Sequence, residues 1–294
     1  MLRSLVLFAA MAAPLAAGAA EAMGGITILE GEALVYRGAG RLLGAEGLAL
    51  APGDIVQTAP ATFVQLEFAD RSVAQLGPAT RAMLNPPAER GKAERALYLL
   101  QGWAKVKQAE REPGKPAGLE LRTPWAEIPA AASALVLHAT PAALTVFVES
   151  GEPRLNERGA GAATAPVALK EGQLYQRKAG ARGELESLSQ SALLQDMPRP
   201  FRDSLPLRAE RWREQNVAAR PAPDFGYADV EPWLKAEPAL RKPLVQRWKA
   251  KARDGAFRAA LVQNLSAHPE WDPVLFPEKY LPKRAPTVAG ASSR

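Results

Sequence analysis

The chain has 294 residues, 47% of them apolar, and a formal net charge of +6 at pH 7, which is enough for one or two domains with a core of Ala, Leu and Val. It has no cysteine, so disulfides, thiol catalysis and cysteine-based metal sites are excluded. Its two histidines, His138 and His268, make a poor ligand set for zinc, and no G-x-S-x-G turn is present; we therefore predict no catalytic, metal or cofactor site.

The N-terminus has the pattern of a secretory signal peptide. Arg3 precedes a short apolar stretch, residues 5–13, and Ala20-Glu21-Ala22 matches an A-x-A cleavage site. The apolar run is shorter than the ~20 residues that a membrane span needs, although an uncleaved anchor helix is the alternative. We predict that residues 1–22 are removed and that the mature protein is periplasmic, without a stable membrane span.

From residue 25 to about 178 the hydrophobicity alternates with a period of two, which is typical of β-strands. The apolar segments are short and are bounded by Gly, Pro, Asn or Asp. The predicted strands cover 26–37, 63–68, 72–76, 96–107, 118–123, 133–139, 143–156 and 166–178. This pattern predicts a mainly β fold, as an antiparallel sandwich, a barrel or a stacked two-layer sheet.

A glycine recurs between successive predicted strands, with no fixed period. It stands in Leu-Glu-Gly-Glu, Leu-Gln-Gly-Trp, Glu-Ser-Gly-Glu and Lys-Glu-Gly-Gln, at positions 31, 102, 151 and 172. Because glycine adopts positive φ without steric cost, we predict a tight turn at each of these positions.

Three acidic residues between positions 50 and 76 raise the question of a chemical site. Glu67 alternates with apolar neighbours, so we interpret it as a solvent-facing strand residue. Asp54 and Asp70 stand at turns, where a carboxylate accepts hydrogen bonds from nearby backbone N–H groups. We predict structural roles for both, although a carboxylate pair for glycoside hydrolysis stays open as an alternative.

After residue 185 the pattern changes to that of helices, followed by a tail. The predicted helices cover 203–216, 227–237, 238–252 and 254–268, with a Pro-rich connection at 217–226. Ser204 is a predicted cap of the first helix, and Asp254 is a predicted cap of the last one.

The positive charge is concentrated in the C-terminal third. Residues 23–198 hold 18 Lys/Arg against 19 Asp/Glu, a net of −1, whereas residues 199–294 hold 18 against 11, a net of +7. The apolar helix face of Leu240, Leu244 and Trp248 is flanked by cations and needs a cover, either the β region or another protein. The candidate partner-binding residues are Arg241, Lys242, Arg247, Trp248, Lys249 and Lys251. They form either a solvated face or a surface for an anionic partner.

Several motifs in the β region resemble the FecR domain of Gram-negative bacteria. "GLALAPGDIVQT" (47–58) is similar to that family's G-x-x-L-x-x-G-D-x-I/V-x-T signature. Residues 64–84 resemble its Asp-Gly-Ser hairpin, with Arg71 in place of the usual glycine, and 99–107 and 120–128 resemble later elements. The residues that carry this motif are Gly31, Gly47, Gly53, Asp54, Thr58, Asp70 and Ser72.

The resemblance implies an extended, two-layered, solenoid-like antiparallel β domain in the periplasm. The best-known members pass an iron-siderophore signal from an outer-membrane receptor to a cytoplasmic sigma factor, through an anti-sigma segment and one membrane span. Here a predicted signal peptide leads straight into the β domain. We therefore expect that this chain does not transmit across the inner membrane by itself.

These observations predict a division of the chain and a function class. The predicted parts are a signal peptide (1–22), a FecR-like β domain (25–180), a linker (181–200), a small basic helical domain (201–280) and a disordered tail (281–294). The favoured function is non-enzymatic: periplasmic binding or scaffolding with a periplasmic protein, an outer-membrane protein or an anionic envelope polymer, and no nucleic acid. The alternatives are an accessory regulator of iron-siderophore signalling and a carbohydrate-active enzyme.

Overall fold

The computed structural model describes most of the chain that follows the predicted signal peptide. The described residues are 22–87, 95–108, 118–159, 165–186, 193–213, 215 and 217–281. The predicted signal peptide, apart from its last residue, lies outside the described residues. So do the predicted tail after residue 281 and positions 187–192 of the predicted linker. No helix in the described ranges is long and apolar enough to cross a membrane.

The first part of the chain is one curled, mostly antiparallel sheet, which confirms the prediction of a mainly β fold. Strand β10 pairs with β9 in parallel. The strands of the described residues are β1 (Gly24–Glu30), β2 (Ala33–Arg37), β3 (Gly40–Leu43), β4 (Ala49–Leu50), β5 (Ile55–Thr58), β6 (Phe63–Phe68), β7 (Val73–Leu76), β8 (Arg81–Leu84), β9 (Ala96–Lys107), β10 (Glu120–Arg122), β11 (Ala126–Ile128), β12 (Ser133–Ala139), β13 (Ala143–Gly151), β14 (Arg154–Glu157), β15 (Val167–Ala168), β16 (Leu174–Lys178), β17 (Glu184–Glu186) and β18 (Arg220–Pro221).

The longest strand, β9, joins the two arms of the curled sheet. Its first half pairs with β8 and β10, and its second half pairs with β7 and β12. Gly102 stands between the halves with a φ of +94°, and the register with β8 shifts beside it, between Arg81 and Ala82. One continuous strand therefore belongs to both arms.

The main core lies inside the curl. Val35 and Leu97 contribute from one arm, and Leu66, Val106 and Leu137 contribute from the other. Successive residues of a strand point to opposite faces, so the same strands also present side chains to the outside of the curl. These outer faces are buried as well, one by helices and the other by a separate segment.

The helical region begins after residue 192. The α-helices are α1 (Leu193–Asp196), α2 (Ala209–Arg213), α3 (Tyr227–Leu234), α4 (Pro238–Trp248), α5 (Gly255–Gln263) and α6 (Asp272–Leu275). Short 3-10 turns cover Arg199–Arg202, Lys249–Arg253, Leu265–Ala267, Pro269–Trp271 and Pro277–Tyr280. Asp254 caps α5 as predicted, because its carboxylate accepts from Phe257 N at 2.7 Å. The Ser204 cap is wrong, since the helix there begins only at Ala209.

Helices α3 to α5 cover the outer face of one arm. Trp233, Trp248 and Phe257 belong to one buried cluster with the strand residues Tyr36 and Tyr98. The ring centroids of Tyr98 and Trp233 are 6.3 Å apart. The cover that the apolar face of α4 needs is therefore supplied by the β region of the same chain.

A second segment, residues 193–213, lies across the outer face of the other arm; we call it the strap. Phe201 and Met197 pack in a third buried cluster with Trp103 and Val136. Lys105 Nζ donates to the Phe201 carbonyl at 2.6 Å. Strand β17 lies inside the range predicted as linker, and β18 lies inside the Pro-rich connection predicted at 217–226.

Candidate functional site

Asp54 is a structural anion in a turn. It is 1% exposed, and its carboxylate accepts from Arg37 Nε at 3.0 Å and from Ala51 N at 2.9 Å. The hydrogen bond to Asp54 raises the pKa of the Arg37 guanidinium. The Asp54 carboxylate is therefore engaged by hydrogen bonds within the fold.

Asp70 orders the turn between β6 and β7. Its Oδ1 accepts from Ser72 N at 3.0 Å, and its Oδ2 lies 3.6 Å from Arg95 Nη1. Arg71 takes a φ of +67°, the left-handed conformation that the usual glycine of the resembled motif adopts without cost. The turn is therefore kept despite the arginine, with the Asp70 side chain holding its backbone.

Replacing Asp70 with asparagine is expected to change the free energy of unfolding by less than about 0.5 kcal/mol, because asparagine offers the same acceptor to Ser72 N. Asp70→Leu is expected to cost about 1–2 kcal/mol, because the backbone donor loses its acceptor. Urea unfolding of both variants measures the difference. Equal losses would contradict the proposed role of the side chain in the turn.

Glu67 is buried, so the interpretation as a solvent-facing residue is wrong. It is 6% exposed, and its carboxylate accepts from Arg208 N at 2.7 Å, from Ala209 N at 3.0 Å and from Gln65 Nε2 at 3.0 Å. The period of two placed it correctly on the face opposite the main core. It gave no sign that the strap covers that face, or that Glu67 receives the first N–H groups of α2.

Replacing Glu67 with leucine is expected to loosen the strap, because two backbone N–H groups lose a charged acceptor, at a cost of about 2 kcal/mol. Limited digestion with trypsin should then cleave after Arg208 and Arg211 faster than in the unchanged protein. Glu184→Leu, which removes an exposed carboxylate from β17, is the matched control and should leave the rate unchanged. Unchanged cleavage in Glu67→Leu would show that the carboxylate does not hold the strap.

The motif glycines lie at turns, and the positive φ predicted at the recurring glycines is confirmed. The predicted turn at Gly102 is wrong, because this residue lies inside the continuous strand β9, where its positive φ accompanies a shift of register. The φ values are +93° at Gly31, +94° at Gly102, +88° at Gly151 and +78° at Gly172, and Gly47 and Gly53 also have positive φ. Thr58, another motif residue, donates to the Gly77 carbonyl at 2.6 Å and accepts from Thr80 N at 2.8 Å. The motif residues therefore organise turns and strand ends.

The basic helix does not present its six candidate residues as one surface. Arg247 donates to three carbonyls of the β region, those of Tyr36, Gly38 and Gly53, and Trp248 is fully buried. Arg241 pairs with Glu270 at 2.8 Å, and Lys251 pairs with Asp224. Lys242 and Lys249 are exposed. Most of this group holds the helices in place.

A groove of about 530 Å³ lies on the outer side of the first arm, next to the helices. Strands β3, β2, β5 and β8 run side by side beneath it. Its walls are mainly apolar, and its charged residues among those described are two arginines and one glutamate. The lining residues are Gly31, Glu32, Ala33, Leu34, Leu43, Gly44, Gln57, Thr58, Ala59, Pro60, Ala79, Arg81 and Arg220.

Arg81 is the half-buried cation of this groove. With the Gln57 amide oriented from its hydrogen bonds, Gln57 Oε1 accepts from Arg81 Nε at 2.8 Å and from Nη2 at 2.9 Å, and Nε2 donates to the Tyr36 hydroxyl at 2.9 Å. Burial lowers the pKa of the Arg81 guanidinium, which nevertheless stays charged. Within the described ranges no carboxylate pairs with it. Gln57 therefore fixes the position of the Arg81 guanidinium.

Residues 54–152 match the family model for the FecR protein. This range is therefore similar to the FecR domain. The matched range begins at Asp54 and contains Thr58, Asp70 and Ser72, whereas Gly31, Gly47 and Gly53 precede it. The matched range thus includes strands β5 to β13, and with them two of the four strands beneath the groove. Within the described residues, no group of three or more His, Cys, Asp or Glu is arranged to hold a metal ion.

The chain is also similar to solved structures. Two crystal structures of a provisionally assigned anti-sigma factor from Parabacteroides distasonis ATCC 8503, at 1.65 and 2.50 Å resolution, are 16% and 17% identical to it. They cover 45% and 48% of this chain, with TM-scores of 0.37 and 0.38. This chain spans 59% and 64% of their lengths, less than two thirds in each case. No curated protein matches it.

Proposed function

We propose that this protein is an exported, non-enzymatic periplasmic protein that binds or scaffolds a protein partner of the cell envelope through its FecR domain. The observation that carries this proposal is the FecR match over residues 54–152, in a chain whose first residues have the pattern of a signal peptide. The roles of the conspicuous acids support it, because Asp54, Glu67 and Asp70 are all engaged in bonds within the fold.

The proposal extends to the finer form of the β region and to its relation to signalling. We propose that the curled sheet is the extended, two-layered, solenoid-like arrangement implied by the family resemblance. The FecR domain also favours a second function, accessory regulation of iron-siderophore signalling. A carbohydrate-active enzyme is a weaker alternative, since Asp54 and Asp70 already have partners within the chain.

The first test follows export. We expect the intact mass of the protein from the periplasm to correspond to a chain that begins at Met23. Recovery of the full-length chain in the inner membrane would contradict the periplasmic assignment.

The second test captures the partner. The tagged mature protein is cross-linked in intact cells, and the products are identified by mass spectrometry. The control is the same experiment with an unrelated tagged periplasmic protein of similar size and charge. We expect one envelope protein to be more abundant in the products of this protein than in those of the control. Enrichment of a sigma-factor-linked receptor would favour the signalling function. Hydrolysis of an envelope polysaccharide by the purified protein, with no enriched protein, would favour the enzyme.

A further inference from the structure

The groove is built on one row of directly opposed residues that crosses five strands. The row runs from Arg220 through Leu43, Leu34 and Gln57 to Arg81, and each neighbour is a register partner of the next. Directly opposed residues of antiparallel strands point to the same face of the sheet. All five residues line the groove. The groove floor therefore has a cation at each end and an apolar and amide centre.

The helices cover the neighbouring row and stop short of this one. Two residues further along β3, β2, β5 and β8, the row consists of Arg41, Tyr36, Ile55 and Met83, and it continues to Tyr98 on β9. Tyr36, Ile55, Met83 and Tyr98 are buried in one cluster with the helices. In the groove row, by contrast, Leu43 is 38% exposed. The groove is thus the part of this sheet face that the described residues leave uncovered.

Among the residues that the structure describes, neither end cation has an acidic partner in an ion pair. Asp229 is an anion near Arg81, but its carboxylate is used by Arg41 at 3.5 Å and by Gly226 N at 2.8 Å. Glu32 in the groove wall is exposed and leaves a net positive lining. Charge complementarity therefore calls for a ligand with negative charge at both ends.

The spacing of the row sets the spacing of the ligand. Strands lie about 4.8 Å apart, so four steps separate the backbones at Arg220 and Arg81 by about 19 Å. An extended peptide advances about 3.3 Å per residue and spans this distance in about six residues. An even spacing places both end side chains on one face, together with the side chains between them. The apolar centre suits branched apolar side chains better than the hydroxyl-rich surface of a sugar polymer.

Resting on the proposed function, we propose that this groove holds the partner through an extended peptide segment with two acidic residues about six positions apart and apolar residues between them on the same face. Arg81 and Arg220 each bind one carboxylate. Leu34 and Leu43 contact the apolar side chains. Gln57 orients Arg81.

The test uses a capped synthetic peptide, Gly-Glu-Ser-Val-Ser-Val-Ser-Glu-Gly, and its counterpart with glutamine at both glutamate positions. Titration of the full mature protein by fluorescence polarisation or calorimetry gives both dissociation constants. We expect the glutamate peptide to bind at least about tenfold more tightly, because it makes charge-assisted hydrogen bonds that the amide peptide lacks. Binding of the glutamate peptide should weaken with added salt.

Variants locate the binding site. Arg81→Gln and Arg220→Gln should each weaken binding of the glutamate peptide about tenfold and reduce its preference over the glutamine peptide, because each variant removes one of the two proposed carboxylate contacts. Arg154→Gln removes an exposed arginine of β14, outside the groove lining, and should change neither constant. Arg220 is exposed, so its variant keeps the test valid even where Arg81→Gln loses structure.

Three outcomes would overturn the proposal: no preference for the glutamate peptide, a preference unaffected by both groove variants, or saturable binding of an oligogalacturonate but of neither peptide. Failure of the groove proposal can be distinguished from failure of the proposed function. If the cross-linked envelope protein is captured equally by wild type and by Arg81→Gln and Arg220→Gln, the groove assignment fails while the proposed function stands. If no protein is captured, the proposed function fails, and the peptide titration still reports on the groove.

Discussion

Replacing Trp248 with alanine is expected to lower the free energy of unfolding by about 3–5 kcal/mol, the range for deleting a large buried aromatic side chain. Trp248 is fully buried between α4 and the sheet, and its ring centroid lies 5.7 Å from that of Phe225. Its Nε1 also donates to the Gly38 carbonyl at 3.3 Å. The side chain therefore joins the helices to the strands, and its loss leaves a cavity at their interface.

The melting temperature, measured by circular dichroism, should fall by about 10 °C in Trp248→Ala. The melting temperature of Trp248→Phe should fall by less, because phenylalanine keeps much of the packing. Lys249→Ala changes the exposed neighbouring position and is the control. Its free energy of unfolding should stay within about 0.5 kcal/mol of that of the unchanged protein. A Trp248→Ala variant with an unchanged melting temperature would show that the helices do not stabilise the β region.

Replacing Gly102 with alanine is expected to cost about 3 kcal/mol or more. Its φ of +94° disfavours any side chain, and an added Cβ would lie 2.5 Å from Thr80 Cα. The Thr80 hydroxyl accepts from Trp103 N at 2.9 Å and donates to the Trp103 carbonyl at 3.1 Å. A shift of Thr80 away from the new methyl group would break both bonds, at the point where β9 passes between the two arms.

Gly172→Ala separates the cost of backbone strain at positive φ from the cost of the steric clash with Thr80. Gly172 has a φ of +78°, but an added Cβ would meet no atom within 4 Å. This variant therefore measures the backbone strain alone, which we expect to be about 1 kcal/mol. Guanidinium unfolding of both variants gives the comparison. Similar losses at the two positions would contradict a close approach of Thr80 as the cause.

The sequence pattern predicts a strand well where the strand is long and alternates. The predicted ranges 63–68, 96–107 and 133–139 coincide with β6, β9 and β12. Range 26–37 contains two strands, β1 and β2, divided at the turn that Gly31 predicted. Strands β3 and β8 were not predicted, because neither of their sequences, Gly-Arg-Leu-Leu and Arg-Ala-Met-Leu, alternates polar and apolar residues.

The pattern predicts poorly what covers a strand from outside. A period of two identifies the two faces of a strand, but it does not show whether a distant segment lies on the second face. Glu67 and the outward row at Tyr36 are buried for this reason, one by the strap and one by the helices. Arg247 was assigned to an external surface because its carbonyl partners are about two hundred residues away in sequence.

The turn residues and the groove row of the candidate site differ in how far the sequence alone predicts them. The turn roles of Asp70 and of the motif glycines follow from local chemistry, so the sequence alone indicates them. The groove row depends on the pairing register of five strands, one of which comes from residue 220. No local signal relates Arg220 to Arg81.

The covering of Tyr36 by Arg247 has a consequence for the order in which the chain acquires its structure. The two residues are 211 positions apart, so the sheet face at Tyr36 stays open until nearly the whole polypeptide has been synthesised. During that interval Ile55, Met83 and Tyr98 present an apolar patch to their surroundings. Exposed patches of this kind promote aggregation of incomplete chains. Premature termination before residue 227 should therefore yield insoluble or rapidly degraded products, even though every strand of the sheet is present.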